Sequence, residues 1–255
     1  MPLYLRLILS VIIIGYLALC AGLFFFQRSL IYYPRPKSPN DDTTSMSLMP
    51  PAPSGVLVSV RPKDTPRALI YFGGNAENVS YNMPGFSETF ADSAIYLMHY
   101  RGFGGSSGKP TEKALFADAL ALFDQVHVQH PQVTVIGRSL GTGVAVYLAS
   151  QRPVSRLVLV TPFDSLQEIA ASQYPYVPVR WFLQDKFESW RYAPSITAPT
   201  LIIAAENDEV IPRASTELLC TRFPNGVATF HQIAHVGHNN IAESADYLPL
   251  LKAAP

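Results

Sequence analysis

Val133-Thr134-Val135-Ile136-Gly137-Arg138-Ser139-Leu140-Gly141 is the stretch on which the fold turns. A strand-like apolar run leads straight into Gly-x-Ser-x-Gly, and Thr142–Ser150 continues as a helix-like run. A serine held on so tight a turn takes strained dihedrals. Side chains two residues before and after it would collide, so both places need glycine. The turn lifts the Ser139 hydroxyl above the sheet. It also sets the Leu140 N–H at a helix start, aimed at a developing oxyanion. Gly143 is expected to let the helix pack closely on the sheet. The five-residue pattern occurs by chance; the strand before it and the helix after it give it weight.

Outward from this turn, short apolar runs alternate with longer amphipathic ones. Strands are expected at Val56–Val60, Ala68–Phe72, Ile95–His99, Val133–Ile136, Leu157–Val160, Leu201–Ala204 and Val227–Phe230. Their near-continuous apolar, β-branched character suits a sheet covered on both faces. Helices are expected at Thr111–His130, Ser139–Ser150 and Ser215–Leu219, with Thr111 as an N-cap. Such alternation implies an α/β architecture with a mostly parallel, doubly wound sheet. Residues 165–193 break the rhythm with Tyr174, Tyr176, Trp181, Phe182, Phe187, Trp190 and Tyr192, while Pro175 and Pro178 forbid one long helix. They form either a short helical lid with an acyl pocket or a set of rings packed on the sheet.

A serine nucleophile needs a base. Of six histidines, His127 and His130 sit near a helix end, where solvent or terminal carbonyls are the expected partners. His99 ends a strand but precedes the serine. In strand–helix folds of this kind the order is serine, acid, histidine, with the histidine after the last strand. His238 fits best, because Gly237 allows a sharp turn; His235 is the runner-up. A zinc site from His231, His235 and His238 has tolerable spacing, but Gly237 argues against a ligand-bearing helix. The acid belongs on the loop after Leu201–Ala204, which holds Glu206, Asp208 and Glu209. Asp208 is favoured, since Val210-Ile211-Pro212 turns the chain into the next helix; Asp164 is the second candidate. Its part would be to fix the His238 tautomer and stabilise the imidazolium. The loop Gly73-Gly74-Asn75-Ala76 offers the Asn75 N–H as a second oxyanion donor beside that of Leu140.

The 255 residues suit one α/β domain with an appendage. Lys+Arg and Asp+Glu number 19 each, so no global basic field draws in nucleic acid. Two cysteines, Cys20 and Cys220, imply no disulfide framework. No charge interrupts Leu7–Phe26. At about 1.5 Å per residue this run spans roughly 30 Å as a helix, the thickness of a bilayer's hydrocarbon core. A cleaved signal peptide is the competing reading, but bulky Leu23 and Phe24–Phe26 follow the small residues. Leu17-Ala18-Leu19-Cys20 fits a lipoprotein site poorly because Leu19 is bulky. Arg6 on one side and Arg28, Arg35 and Lys37 on the other leave the orientation open. The expected organisation is an anchor over 1–33, a linker over 34–55 and a catalytic domain over 56–255.

Taken in order, several stretches resemble the membrane-anchored α/β-hydrolase-domain serine hydrolases. They are Phe26–Pro34, Tyr71–Asn78, Tyr100–Gly108, Gly137–Gly141, Thr161–Ser165, Asn207–Pro212 and Gly237–Asn239. The resemblance implies the α/β-hydrolase fold, Ser139, Asp208 and His238 as triad, and Asn75 and Leu140 as oxyanion donors. It also implies hydrolysis of a carboxylic ester or thioester without a cofactor or metal. Similar proteins usually carry His-Gly-Asn where this chain has Gly73-Gly74-Asn75, and His-Gly where it has Ala205-Glu206. The glycine-rich Tyr100–Gly108 lacks a dinucleotide spacing, since the third glycine falls at Ser107. The expected partners are a small or lipid-like acyl substrate and, through the N-terminal helix, a membrane. The alternative is a non-catalytic, membrane-tethered scaffold of the same fold.

Overall fold

The computed structural model describes residues 2–36, 45–47 and 55–253. Most of the expected linker lies outside them. The chain opens with α1 (Leu3–Ile31), then β1 (Ser45–Ser47), β2 (Leu57–Arg61), β3 (Arg67–Phe72), α2 (Met83–Thr89) and β4 (Ala94–Met98). α3 (Glu112–His127), β5 (Gln132–Arg138), α4 (Leu140–Gln151) and β6 (Arg156–Val160) follow. The stretch 165–193 folds as three short helices: α5 (Leu166–Gln173), α6 (Val179–Phe182) and α7 (Ser189–Tyr192). β7 (Thr200–Ala205), α8 (Arg213–Arg222), β8 (Ala228–Ile233) and α9 (Tyr247–Lys252) complete the order.

The strands form one sheet in the order β1-β2-β4-β3-β5-β6-β7-β8. At one edge β1 pairs antiparallel with β2 and β2 antiparallel with β4, and every pairing from β4 through β8 is parallel. From β3 the chain winds one way to β4 and then returns to place β5 on the opposite side of β3. The loops after β3 and β5 therefore diverge, and the crevice between them is where such sheets bind ligands. Phe72 and Gly137 stand opposite each other at that point.

Alternate residues on the inner strands feed two cores, as a period of two requires. Ile70, Val135, Leu157 and Ile202 meet α3, α4 and α8 on one face. Leu69, Tyr71, Ile136 and Ile203 meet α2 and α9 on the other. The edge strand β8 leaves Thr229, Phe230 and His231 exposed. Thr111 caps α3 as expected, its hydroxyl accepting from the Ala114 N–H at 3.1 Å.

α1 is a 29-residue helix, long and apolar enough to cross a membrane. From Leu3 to Leu19 it is exposed on every side; from Cys20 onward one face is covered by the rest of the protein.

Two expectations are corrected here. Gly143 does not serve helix–sheet contact: a Cβ there would stand 2.9 Å from the Phe187 ring, so the glycine makes room for the 165–193 segment. His130 is not at the surface. It is buried, with Nδ1 2.6 Å from the Thr65 carbonyl oxygen and Nε2 3.1 Å from the Tyr96 hydroxyl. His127 stacks on Phe123 with ring centroids 5.0 Å apart.

Candidate active site

Ser139 has φ +48° and ψ −118°, a conformation that costs a non-glycine residue about 1–3 kcal/mol. The packing around it holds it there. A Cβ on Gly141 would lie 2.1 Å from the Phe72 carbonyl oxygen, and one on Gly137 would lie 2.5 Å from that of Gly141. The first turn of α4 is thus pressed onto the end of β3, and only glycine at both places lets the backbones meet.

His238 arrives from the segment after β8. Its Nε2 lies 2.8 Å from Ser139 Oγ, and its Nδ1 lies 2.9 Å from Asp208 Oδ2. The histidine is held by its own backbone, whose N–H donates to Glu209 Oε2 at 3.1 Å. Asp208 follows β7, and its Oδ1 accepts the N–H groups of Val210 at 3.0 Å and Ile211 at 2.7 Å. Burial alone would push the Asp208 carboxyl up. Hydrogen bonds from His238, Ile211 and Val210, with the histidine's charge, outweigh it and hold the carboxyl below its ordinary value. Such a chain can draw a proton from the serine hydroxyl while an ionised carboxylate steadies the imidazolium.

The other candidates stand elsewhere. His235 has a side chain 94% exposed, lying 3.5 Å from Glu206. Asp164 pairs with Arg222 at 3.2 Å. His99 is buried against Ser59 Oγ at 2.8 Å. Among the described residues no three His, Cys, Asp or Glu side chains gather as a metal site.

The loop after β3 passes directly over the serine. A Cβ on Gly74 would sit 3.5 Å from Ser139 Cβ. The Gly74 N–H is committed to Glu77 Oε2 at 2.6 Å, so it is not an oxyanion donor. The Asn75 side chain is committed too: Oδ1 accepts from the Tyr33 N–H at 2.9 Å, and Nδ2 donates to the Ile31 carbonyl at 2.6 Å. What Asn75 can offer a substrate is its backbone. Leu140 opens α4, where an N–H has no intrahelical acceptor.

Two residues beside this site escaped the sequence reading. Glu77 accepts hydrogen bonds from Tyr71 and Asn82, each at 2.7 Å, besides that from Gly74. It also pairs with Arg138 at 3.2 Å, both side chains being largely buried. Arg138 in turn donates to the carbonyls of His238 at 3.3 Å and Asn239 at 3.4 Å. Burial works against the Arg138 charge, but Glu77 restores it and the guanidinium is held above its ordinary value. The pair ties the loop after β3 to the loop bearing the histidine. One signal was available: a glutamate three residues after Gly74 in a glycine turn can reach back to a free N–H, as in a capping box. The glycine-rich Tyr100–Gly108 stretch is a brace as well. Tyr100 donates to the Gly73 carbonyl at 2.8 Å, and Arg101 grips the fully buried Asp118 through two hydrogen bonds.

Ser139, Leu140 and Asn75 border a cavity of about 380 Å³. Its walls are apolar, with Phe163, Ile169, Val177 and Ile211 on the side of the body and the 165–193 segment.

A serine on a strand–helix elbow at the switch point of this sheet defines the class: the chain has the α/β-hydrolase fold. A family model described as alpha/beta hydrolase fold matches residues 67–189. An uncharacterized protein of Mycobacterium tuberculosis is 39% identical over 151 residues, covering 58% of this chain and 53% of that protein. Lysophosphatidylserine lipase ABHD12 of Macaca fascicularis is 36% identical over 138 residues, covering 46% of this chain and 35% of the lipase. The aligned part is thus about half or less of either relative's length. The solved structure of mouse alpha/beta hydrolase domain-containing protein 10 shares the fold with a TM-score of 0.62 at 16% identity. That match covers 82% of this chain and 95% of the mouse chain.

Proposed function

We propose that the protein is a membrane-anchored serine hydrolase that cleaves carboxylic esters or thioesters through an acyl-enzyme. The observation that carries this reading is the unbroken chain from Ser139 Oγ to His238 to Asp208 at the rim of an apolar cavity.

Ser139 Oγ attacks the carbonyl carbon as His238 Nε2 takes its proton. The oxygen of the tetrahedral intermediate sits between the backbone N–H groups of Asn75 and Leu140. Collapse breaks the bond to the alcohol or thiol, which leaves with the proton from His238. Water then attacks the acyl-serine, with His238 as base, and returns Ser139 and a carboxylic acid. Asp208 stays ionised throughout, which its lowered pKa favours. α1 supplies the anchor, and the apolar cavity suits an acyl chain.

The test is turnover of p-nitrophenyl esters from acetate to palmitate by the full chain in detergent micelles, beside Ser139→Ala. The variant is expected to lose at least about 10³-fold in kcat/KM and to resist a fluorophosphonate probe, with its melting temperature kept. A folded wild type that neither turns over nor reacts with the probe would favour the non-catalytic scaffold.

A further inference from the structure

We infer that α1 is more than an anchor: its last turns form a wall of the acyl-binding cleft, and Leu23 and Phe24 set which acyl chains a membrane-resident ester presents to Ser139. The inference rests on the hydrolase reading above and adds to it where the acyl group lies.

Cys20, Leu23, Phe24, Gln27 and Ile31 all line the cavity that Ser139 borders. Their spacings of three and four residues put them on one face of the helix. Phe25 and Phe26, on the other side, are exposed. The covered face is fastened, not resting by chance. Gln27, a polar residue buried in an apolar wall, uses both ends: Oε1 accepts the Gln184 N–H at 2.7 Å, and Nε2 donates to the Phe182 carbonyl at 3.3 Å and to its own helix at Phe24. Arg28 pairs with Asp185 at 2.9 Å. The Phe24 ring meets the Phe182 ring edge-on, with centroids 6.1 Å apart. Beyond the helix end, Asn75 holds Ile31 and Tyr33. The residue that offers an oxyanion donor is therefore the residue that clasps the end of the anchor.

Length sets the depth of this wall. The uncharged run Leu7–Phe26 needs all of its roughly 30 Å to cross the hydrocarbon. Cys20, Leu23 and Phe24 fall within its last ~9 Å at about 1.5 Å per residue. They belong at once to the membrane span and to the cleft, so the α1 side of the cleft lies at the hydrocarbon boundary. An acyl chain can pass from the leaflet along α1 to Ser139 without crossing water. Tyr16, in the middle of the Leu7–Phe26 run, donates to the Tyr176 carbonyl at 2.8 Å, so that end of the 165–193 segment reaches into the leaflet. Trp181 is exposed nearer the end of the run, next to Phe182 and its contact with Phe24. An exposed indole favours the headgroup level.

The experiment compares full-length wild type, Leu23→Trp, Leu23→Ala, Phe24→Ala and Phe26→Trp in phospholipid vesicles. The substrates are p-nitrophenyl acetate, octanoate and palmitate. Expected is a fall of at least about tenfold in the palmitate-to-acetate ratio of kcat/KM for Leu23→Trp, a size that a misfit in an apolar pocket produces. Leu23→Ala and Phe24→Ala are expected to move the chain-length optimum upward, and the exposed-face control Phe26→Trp to keep the wild-type profile. Fluorophosphonate labelling checks that each variant is folded at Ser139; should Leu23→Trp not fold, the two alanine variants carry the test. An unchanged profile in labelled Leu23 and Phe24 variants overturns the inference and leaves the hydrolase reading intact. A wild type without turnover or labelling overturns both.

Discussion

At the scale of single residues, the carboxylate behind the histidine carries a pH dependence of known sign. The folded Asp208 carboxyl is held below its ordinary value, about 3.9 in an unfolded chain. Its contribution to stability is therefore complete above that pH and is lost as pH falls through the lower folded value. Thermal melts of wild type and Asp208→Asn are expected to differ most at neutral pH and to converge below about pH 3.9. A gap that widens in acid would mean that the folded Asp208 carboxyl is held above its ordinary value, and a gap constant with pH that folding does not shift it. Ser139, Asp208 and His238 were all nameable from the sequence, because the elbow and the chain order of acid and base are local signals. The structure brings these three within hydrogen-bond reach. Glu77 and Arg138 were not nameable as a pair. They are 61 residues apart, and only the adjacency of β3 and β5 brings them together. Nothing local told His130 from a surface histidine, since its partners Thr65 and Tyr96 come from distant parts of the chain.

At the scale of elements, the inner strands were legible and the small helices were not. β3 to β7 are buried on both faces, so their apolar runs are continuous and mark them plainly. α2 has only seven residues and carries Pro84 and Gly85 near its start, which hides its period. α9 has six. Both exist because the second face of the sheet needs covering, a tertiary cause that overrides weak local preference. The elbow is the reverse case, in which local residues dictate a strained turn. Gly141→Ala forces a Cβ into the Phe72 backbone and is expected to cost about 3 kcal/mol or to prevent folding. Gly226 has φ +79° but open space around it, so Gly226→Ala should cost only about 1 kcal/mol, mostly from the backbone conformation. Urea melts of the two variants separate packing from conformation; equal losses would mean that the close approach at the elbow relaxes cheaply.

At the scale of the whole molecule, the sequence leads one to expect an anchor, a linker and a catalytic domain, and hydropathy alone cannot show whether the first touches the last. The apolar run that marks a membrane span is the same whether one face meets lipid or a protein cavity. What joins them is polar: Gln27, Arg28 and Asn75, of which only Gln27 and Arg28 lie on the helix. These ties fix the tilt of the body against α1, so with α1 as the proposed anchor the molecule should sit on a bilayer in one attitude with Trp181 near the headgroups. The chain has two tryptophans, Trp181 on that segment, 86% exposed, and Trp190, beside which Arg191 lies 5.1 Å from the ring centroid. In a Trp190→Phe protein all indole emission comes from Trp181. In vesicles it should shift to shorter wavelength and be quenched more by bromines high on the acyl chains than by bromines near their ends. Arg28→Ala loosens one tie and should broaden that depth preference. Emission from Trp181 that is water-like and unquenched would lift the segment clear of the bilayer, and a substrate would then have to reach Ser139 through water.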